Sequence, residues 1–561
     1  MIVRRLIPDA HRALAQAGLP PVLARIYAAR GIVSVAELDH SLRALPDFTR
    51  LANIGAAAER LARAIAQRER VLVIADYDAD GATACAVAVR GLRAMGAVVD
   101  FLVPNRFDFG YGLTPEIVAV ALQRAPSLLV TVDNGIASVD GVRAAAQAGC
   151  DVLVTDHHLP GPALPQPAIV VDPNQPGCDF PSKHIAGVGV MFYVLCALRA
   201  RLRDAGAFAR REPPNLGALL DLVALGTVAD VVRLDHVNRI LVEQGLARLR
   251  AGRGQPGVHA LFRVAGRDVS RASASDLGFV AGPRLNAAGR LADMSLGIRC
   301  LLTDSDAEAD ALARELDRLN RERREIETSM QEEAMAAVDA TVASDGHYTL
   351  CAYRPAWHPG VVGIVASRLK DRHHRPAVVF ANGNAGELRG SGRSIAGFHL
   401  RDAFDLVAKR EPATILRFGG HAYAAGLSIH AHALPRFAEA FERVARESLS
   451  EAMLRKQLES DGALASGELT FDLGGSLAER VWGQGFAPPA FDDVFDVQEQ
   501  RHVGDGHAKL RLARDGEAFG AIAFRTPAPL PSRVHALYRP EVRHWNGLAS
   551  LELVVDFWRP A

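Results

Sequence analysis

The amino-acid sequence predicts an α/β fold. It comprises a parallel-sheet domain joined by one long helix to a smaller α/β domain, and then a C-terminal β-barrel. Between residues 71 and 155, short aliphatic runs alternate with helical stretches in a β-α-β-α-β order, which is typical of a parallel sheet. Residues 304–342 contain neither glycine nor proline and carry apolar residues at helical spacing, which indicates one long helix. From residue 461 onward, five short strands with Asp-Gly and Asn-Gly turns favour a barrel of the OB type.

Acidic residues and histidines follow each of the first three predicted strands. They are Asp76, Asp78 and Asp80 after the first strand, Asp133 after the second, and Asp156, His157 and His158 after the third. The carboxyl ends of parallel strands share one edge of a sheet, where ligands bind in open α/β folds. We therefore expect these three distant motifs to form one site.

The side chains of this predicted site determine what it can bind. Carboxylates and imidazoles without thiolates favour Mg²⁺ or Mn²⁺ over a structural zinc ion. So many carboxylates at one edge repel each other unless cations lie between them, so two ions are expected rather than one. A pair of divalent ions is the usual arrangement for the hydrolysis of phosphate esters.

Three other interpretations of the first motif are weaker. An EF-hand loop would need a glutamate where Val87 stands and a helix where the first strand stands. A haloacid-dehalogenase-type phosphatase also places D-x-D-G after a strand, but it does not explain the histidine pair. A helix-capping acidic loop explains any one motif but not three together.

Four motifs, DYDADG, VDNG, TDHH and GTVADVV, resemble in order those of the DHH phosphoesterases, which are two-metal enzymes. Four later stretches, GPRLNAAGRL, WHPGVVGIVASRL, SGRS and GGHAYAAG, look like the RecJ branch of that family. The resemblance implies hydrolysis of single-stranded DNA from the 5′ end, in recombination and repair. The alternatives are a non-catalytic replication scaffold of the same fold and a phosphodiesterase that acts on short oligonucleotides.

The resemblance also implies roles for individual residues. The implied metal ligands are Asp78, Asp80, Asp133, His157 and Asp230, with Asp133 as the bridge between the two ions. Asp76 is expected to bind through water, and His158 and His421 to orient the scissile phosphate. Many family members carry histidine where this chain has Ile74, so the first ion lacks one ligand unless Asp76 or water replaces it.

Candidate contacts to the substrate lie in aromatic, arginine-rich and glycine-rich stretches. They are Arg106, Tyr111, Arg284, Asn286, Arg290, Gly360, Arg389, Ser391, Arg393, Gly419 and Gly420. Arg106 is expected at a phosphate and Tyr111 at a base, although aromatic residues there could also pack on the core. Arg284 and Arg290 lie in a predicted turn-rich stretch and need an anion between them, or else salt bridges to the metal-site carboxylates. Gly360 stands at a predicted helix start, and the other glycines allow a close approach of an anion to the backbone.

The predicted domain limits follow the changes in sequence pattern. They are a helical cap at 1–50, the DHH domain at 51–303, the long helix at 304–345, the DHH-associated (DHHA1) domain at 346–455 and the OB-type domain at 456–561. Ser305 or Asp304 is the predicted N-cap of the long helix. Residues 160–183, with seven prolines, are predicted to be a connection. We expect the first two lobes to fold without the barrel.

Composition restricts the cellular setting more than the function. Lys and Arg together number 64, as do Asp and Glu, so the overall charge does not indicate a nucleic-acid binder. Six cysteines without C-x-x-C spacing, and neither a signal sequence nor a long apolar span, favour a soluble protein in a reducing cytoplasm. The resemblance implies a monomer whose partners are single-stranded DNA with a 5′ end, a single-strand-binding protein and a RecQ-type helicase.

Overall fold

The computed structural model of this 561-residue chain describes residues 1–104, 112–383, 386–504, 506–526, 529–545 and 548–561. The chain divides into two compact units. The first contains Ile2–Asp317 and Glu459–Ala561, and the second contains Arg318–Leu458 together with Met1.

The first unit begins with a short strand and three helices. These are β1 (Ile2–Arg4), α1 (Ala10–Gln16), α2 (Pro21–Ala28) and α3 (Ile54–Ala66). The prediction of a purely helical cap is wrong for residues 2–4. The Arg5 N–H, directly after β1, donates to the Ser460 carbonyl at 2.8 Å, and Arg4 pairs with Asp492 at 2.9 Å. Residues 2–4 are therefore extended because this segment contacts residues that lie more than 450 positions later in the sequence.

A five-stranded parallel sheet follows. Its strands and helices are β2 (Arg70–Ala75), α4 (Ala79–Met95), β3 (Val98–Leu102), α5 (Pro115–Leu122), β4 (Leu128–Val132), α6 (Val139–Gln147), β5 (Asp151–Thr155) and β6 (Ile169–Val171). The strand order is β3-β2-β4-β5-β6, and every pair is parallel. The predicted parallel sheet is confirmed. Strand β6 lies in the segment predicted to be a connection, because three apolar residues there pair with β5.

Seven helices complete the parallel-sheet region. They are α7 (Gly187–Asp204), α8 (Leu220–Ala229), α9 (His236–Arg250), α10 (Pro256–Val264), α11 (Ala274–Asp276), α12 (Gly282–Leu291) and α13 (Ser295–Leu302). Helices α7 and α8 pack against the buried α4. Helix α12 occupies the stretch predicted to be turn-rich. Pro283 fits the first turn of a helix, and Gly289 allows close packing, because a Cβ there would lie 1.9 Å from the Tyr77 carbonyl oxygen.

One long helix leaves the first unit and continues in the second. Helix α14 (Asp306–Asp345) has 40 residues and is therefore about 60 Å long. The Ser305 hydroxyl accepts a hydrogen bond from the Glu308 N–H at 3.3 Å, so Ser305 rather than Asp304 caps this helix. Among the described helices, none combines the length and the apolar composition that spanning a membrane requires.

The second unit contains a mixed sheet covered by helices. Its elements are β7 (Leu350–Tyr353), α15 (Val362–His373), β8 (Ala377–Asn382), β9 (Glu387–Arg393), α16 (Leu400–Arg410), β10 (Arg417–Gly420), β11 (Ala424–His430) and α17 (Leu434–Ser448). The strand order is β10-β11-β9-β8-β7, with only β7 and β8 parallel. Alternate residues of β8 pack on opposite faces: Val379 packs with Val365 of α15, and Phe380 with Phe437 of α17. This alternation fixes which side chains share a face.

The C-terminal region returns to the first unit. It contains β12 (Leu458–Ser460), α18 (Phe471–Ala478), β13 (Phe491–Val503), β14 (His507–Arg514), β15 (Glu517–Ala523), β16 (Arg533–Trp545) and β17 (Leu548–Pro560). Strands β13 to β17 close into a barrel in the order β13-β14-β15-β17-β16. The predicted five-stranded barrel is confirmed.

The segment before the barrel packs on the N-terminal helices. Arg30 and Asp461 form an ion pair at 2.7 Å in which each side chain is only 1% exposed. Trp482 and Phe486 stack with Tyr27 at centroid distances of 5.8 and 6.1 Å. A cut near residue 455 would leave Arg30 and Tyr27 without these contacts. Such a cut is therefore expected to lower the stability of the N-terminal helices, and the independent folding of the first two lobes stays a prediction.

Replacing Asp461 with asparagine is expected to lower the free energy of unfolding by about 1 to 3 kcal/mol, because the buried Arg30 charge loses its counter-charge. Urea denaturation of the intact chain measures this change. Asp405→Ala is the matched control, since it breaks the surface pair with Lys409 and should cost less than about 1 kcal/mol. Equal losses of unfolding free energy in the two variants would show that the buried Arg30–Asp461 pair stabilises the fold no more than the surface pair does.

Candidate active site

The carboxyl edge of the parallel sheet brings the acidic motifs together. Three groups of side chains each place their ligand atoms within 4.8 Å of one another: Asp76, Asp78 and Asp133; Asp80, His157 and Asp230; and Asp133, His157 and His158. Asp133 and His157 each belong to two groups. The arrangement is therefore continuous, because Asp133 joins the first group to the third and His157 joins the third group to the second.

The loop after β2 positions its carboxylates through helix termini. Asp78 caps α4, because its Oδ1 accepts from the N–H groups of Asp80 and Gly81 at 3.0 Å each. Asp80 accepts from the Gly187 and Val188 N–H groups at 2.7 and 2.9 Å, at the start of α7. The positive end of that helix stabilises the buried carboxylate.

Asp133 and His157 lie at the centre of the site. Asp133 follows β4 with φ of 61°, a left-handed conformation that aspartate tolerates better than most residues. His157 Nε2 lies 3.0 Å from Asp133 Oδ1, 3.5 Å from Asp230 Oδ2 and 3.9 Å from Asp80 Oδ2. Asp230 is the C-cap residue of α8.

Burial and mutual repulsion make this cluster unfavourable as a set of free anions. Burial, with the charge of Asp78, raises the pKa of Asp80 to about 7. Burial and the neighbouring carboxylates raise the pKa of Asp133 and of Asp230 well above the usual range. Cations would relieve both effects. The donors are carboxylate oxygens and an imidazole, so the residues fit two divalent ions such as Mn²⁺ or Mg²⁺.

Asp156 positions the second histidine of the TDHH motif. Its Oδ1 receives the N–H groups of His157 and His158 at 2.8 and 3.2 Å and contacts His158 Nδ1 at 2.8 Å. Burial alone would lower the pKa of His158, but the hydrogen bond and charge of Asp156 raise it to about 9. The sequence placed Asp156 in the third motif but predicted no role for it.

Asp172 and Asn174 lie behind the TDHH motif, and the sequence motifs did not predict them as part of the site. Asn174 Nδ2 donates to the His157 carbonyl at 2.6 Å, and its N–H donates to Asp172 Oδ1 at 2.6 Å. Burial, with the charge of Asp156, raises the pKa of Asp172 to about 8. The signal was present in the sequence, because IVVDPN at 169–174 is another apolar run that ends in aspartate.

Comparisons with known proteins agree with this architecture. Family models match residues 70–227 (DHH family, N-terminal domain), 346–447 (DHHA1 domain) and 460–556 (RecJ OB domain). The chain is 48% identical to the single-stranded-DNA-specific exonuclease RecJ of Dickeya dadantii, across 97% of this chain and 96% of that protein. It is 46% identical to the Escherichia coli protein of the same name, across 96% of both chains. The chain belongs to the RecJ family.

A solved structure of this family matches the entire chain. Thermus thermophilus RecJ in complex with Mn²⁺ superposes with a TM-score of 0.84 and 32% identity, covering 100% of this chain and 79% of that one. The same protein in complex with Mg²⁺ gives a TM-score of 0.78. The donor set described above therefore lies in a fold that holds these ions in a relative.

Helix α12 packs on the first motif of this RecJ-family chain. The N–H of Ala79, between Asp78 and Asp80, donates to Asn286 Oδ1 at 2.9 Å. Arg284 is buried in an ion pair with Asp317 at 2.8 Å. The partners of Asn286 and Arg284 in this structure are thus protein groups, and their roles as substrate contacts stay predictions, as does that of the half-buried Arg290.

Asn286→Ala is expected to weaken divalent-metal binding about tenfold, because outer-shell hydrogen bonds hold ligand loops in place. Titration with Mn²⁺ measures this, and Asn286→Asp keeps the acceptor oxygen and should retain affinity. If Asn286 instead contacts the substrate, Asn286→Ala will raise KM for DNA and leave metal affinity unchanged.

The other predicted residues lie in the second unit or outside the described residues. Strand β9 carries Arg389, Ser391 and Arg393 at alternate positions, so they share one face. His421 is exposed in the turn between β10, which ends with Gly419 and Gly420, and β11. Gly360 precedes α15 by two residues, and its N–H donates to His358 Nδ1 at 3.1 Å. Arg106 and Tyr111 lie outside the described residues.

Proposed function

We propose that the chain is a metal-dependent exonuclease that hydrolyses single-stranded DNA from its 5′ end. The observation that carries this proposal is the continuous cluster in which Asp133 and His157 each join two groups of potential ligands. Two bound ions would activate a water molecule and stabilise the charge that develops on the scissile phosphate. Membership of the RecJ family supports single-stranded DNA as the substrate.

Within this proposal, four carboxylates and His157 would hold the two ions. Asp78, Asp80, Asp133, His157 and Asp230 are the proposed ligands, with Asp133 as the bridge. Ile74 is buried in β2 and cannot coordinate an ion. Asp76 shares a group with Asp78 and Asp133, which supports Asp76 as the replacement for the missing family histidine.

His158 is proposed to contact the phosphate as a cation. The hydrogen bond and the charge of Asp156 raise the pKa of His158 and so favour the protonated ring, and Asp156 fixes the orientation of Nδ1. A positive, oriented imidazole donates to a phosphate oxygen and stabilises negative charge there. His421 is proposed to assist through the same chemistry.

Ser391 and Arg393 of the second unit are proposed to bind the 5′-terminal phosphate, and Arg389, Gly360, Gly419 and Gly420 of the same unit to contact the rest of the strand. Arg106 is likewise proposed to bind the terminal phosphate, and Tyr111 and Arg290 to contact the strand; these three residues belong to the part of the chain that precedes the second unit. We also propose the predicted domain limits and a role in recombination and repair in the cytoplasm. The proposed partners are a single-strand-binding protein and a RecQ-type helicase, because family members are expected to share them.

Digestion of one single strand labelled at its 5′ end and of another labelled at its 3′ end tests this proposal. With Mn²⁺ or Mg²⁺ present, a labelled mononucleotide should appear at once from the 5′-labelled strand and late from the 3′-labelled strand. The reverse order would refute the polarity. Absence of hydrolysis together with tight strand binding would support the scaffold alternative.

A further inference from the structure

A tight turn follows β6 and lies behind the TDHH motif. We call its four residues, 172–175, the DPNQ turn. Asp172 Oδ1 accepts from the Asn174 N–H at 2.6 Å, and the Asp172 carbonyl accepts from the Gln175 N–H at 3.4 Å. Pro173 stands between them, and its fixed φ suits the second position of such a turn. These contacts hold the Asn174 backbone in one position.

The side-chain amide of Asn174 joins two segments that support the proposed metal site. Its Nδ2 donates to the His157 carbonyl at 2.6 Å and to the Lys183 carbonyl at 3.2 Å, so both of its N–H bonds are used. His157 is itself a proposed ligand. Lys183 lies four residues before the start of α7, where two backbone N–H groups hold the Asp80 carboxylate at 2.7 and 2.9 Å. Asn174 is therefore connected to both ligands through the backbone.

Lys183 ties the loop at residues 173–183 to itself. Its Nζ donates to the Pro173 carbonyl at 2.6 Å and to the Cys178 carbonyl at 2.8 Å. Hydrogen bonds from a charged donor are stronger than those between neutral groups. The loop between Asn174 and α7 is thus closed by strong contacts, so it can transmit the position of one end to the other.

The distance between Asp80 and His157 depends on both ends of this loop. These two residues belong to one group of potential ligands with Asp230, and Asp80 Oδ2 lies 3.9 Å from His157 Nε2. Asp80 is held by the start of α7, and the His157 backbone is held by Asn174. A divalent ion needs its ligands at fixed distances, and hydrogen bonds behind the ligands keep them there.

We propose that Asn174 is a positioning residue for the ion that Asp80, His157 and Asp230 would hold. It acts through the His157 carbonyl and through the loop that leads to α7, and it contacts neither the ion nor the DNA. The amide is the feature that matters, because an aspartate of the same size has no N–H to donate. This inference rests on the proposed function and adds a residue outside the family motifs to the metal site.

Asn174→Ala and Gln175→Ala form a matched pair of variants, because each removes an amide of the DPNQ turn that donates to two carbonyl groups. Gln175 Nε2 donates to the carbonyls of Val170 at 2.9 Å and Ala52 at 3.4 Å, and neither residue is a proposed ligand. Calorimetric titration of the metal-free full chain with Mn²⁺, without DNA, should show affinity about 10- to 100-fold weaker for Asn174→Ala. Gln175→Ala should bind Mn²⁺ as the wild type does. Asn174→Asp keeps the size but loses both donors, and it should weaken binding at least as much as Asn174→Ala.

Hydrolysis of single-stranded DNA gives a second measurement. Asn174→Ala should lower kcat at limiting Mn²⁺, regain most of it at saturating Mn²⁺ because every proposed ligand remains, and leave KM for DNA unchanged. A lower thermal midpoint with unchanged Mn²⁺ affinity, or equal losses of affinity in Asn174→Ala and Gln175→Ala, would overturn the positioning role. A wild type that binds Mn²⁺ but does not hydrolyse DNA would instead overturn the proposed function.

Discussion

Replacing Asp133 with asparagine is expected to reduce nuclease activity by about a thousandfold or more. Asp133 belongs to two of the three ligand groups, so neutralising it impairs both proposed ion sites. Loss of several kcal/mol of charge stabilisation in the transition state corresponds to a rate effect of about this size. Asparagine is preferred to alanine because the backbone at 133 has φ of 61°, which asparagine tolerates.

Three measurements on Asp133→Asn make this result specific. Nuclease activity and Mn²⁺ affinity should both fall, while binding of single-stranded DNA should persist, because the proposed binding surfaces lie elsewhere. Asp140→Ala, which removes an exposed carboxylate of α6 paired with Arg143, is the matched control and should change none of them. Activity of Asp133→Asn within about tenfold of the wild type would contradict its assignment as the bridge.

The sequence was sufficient to predict that these residues meet. Each motif follows a short apolar run, and parallel topology alone brings such strand ends to one edge. Asp76, Asp133 and His157 lie up to 81 residues apart in the sequence and still form the predicted cluster. Strand periodicity and turn residues likewise predicted the closed barrel, because both are local signals.

Contacts between distant segments could not be predicted in this way. Nothing near Asn286 indicates that it accepts from Ala79, 207 residues earlier, or that Arg284 pairs with Asp317. The glycines of α12 resembled turn signals, yet Gly289 is required by its approach to Tyr77. The buried ion pair between Arg30 and Asp461 also could not be predicted, because it depends on packing between segments that are far apart in the sequence.

Arg393 has the environment expected of a residue that binds a terminal phosphate. Its Nη1 donates to the Ser391 hydroxyl at 3.1 Å and to the Gly392 carbonyl at 2.8 Å, which fixes the guanidinium. A Cβ on Gly363, in the first turn of α15, would lie 3.0 Å from Arg393 Nη2, so this helix start borders the guanidinium. A half-buried cation without a neighbouring carboxylate in the described structure is costly unless an anion binds beside it.

Arg393→Ala is therefore expected to slow attack on 5′-phosphorylated strands by about 10- to 150-fold, since a charge-assisted contact is worth roughly 1.5 to 3 kcal/mol. A strand with a 5′-hydroxyl lacks the terminal phosphate, so the same variant should slow its digestion much less. Arg410→Ala, which breaks a surface pair with Glu447 in the same unit, is the matched control and should leave both rates unchanged. Initial rates on the two strands measure the difference. If Arg393→Ala slows both strands by the same factor, Arg393 binds the strand backbone in general, and recognition of the 5′ end must be assigned to other residues.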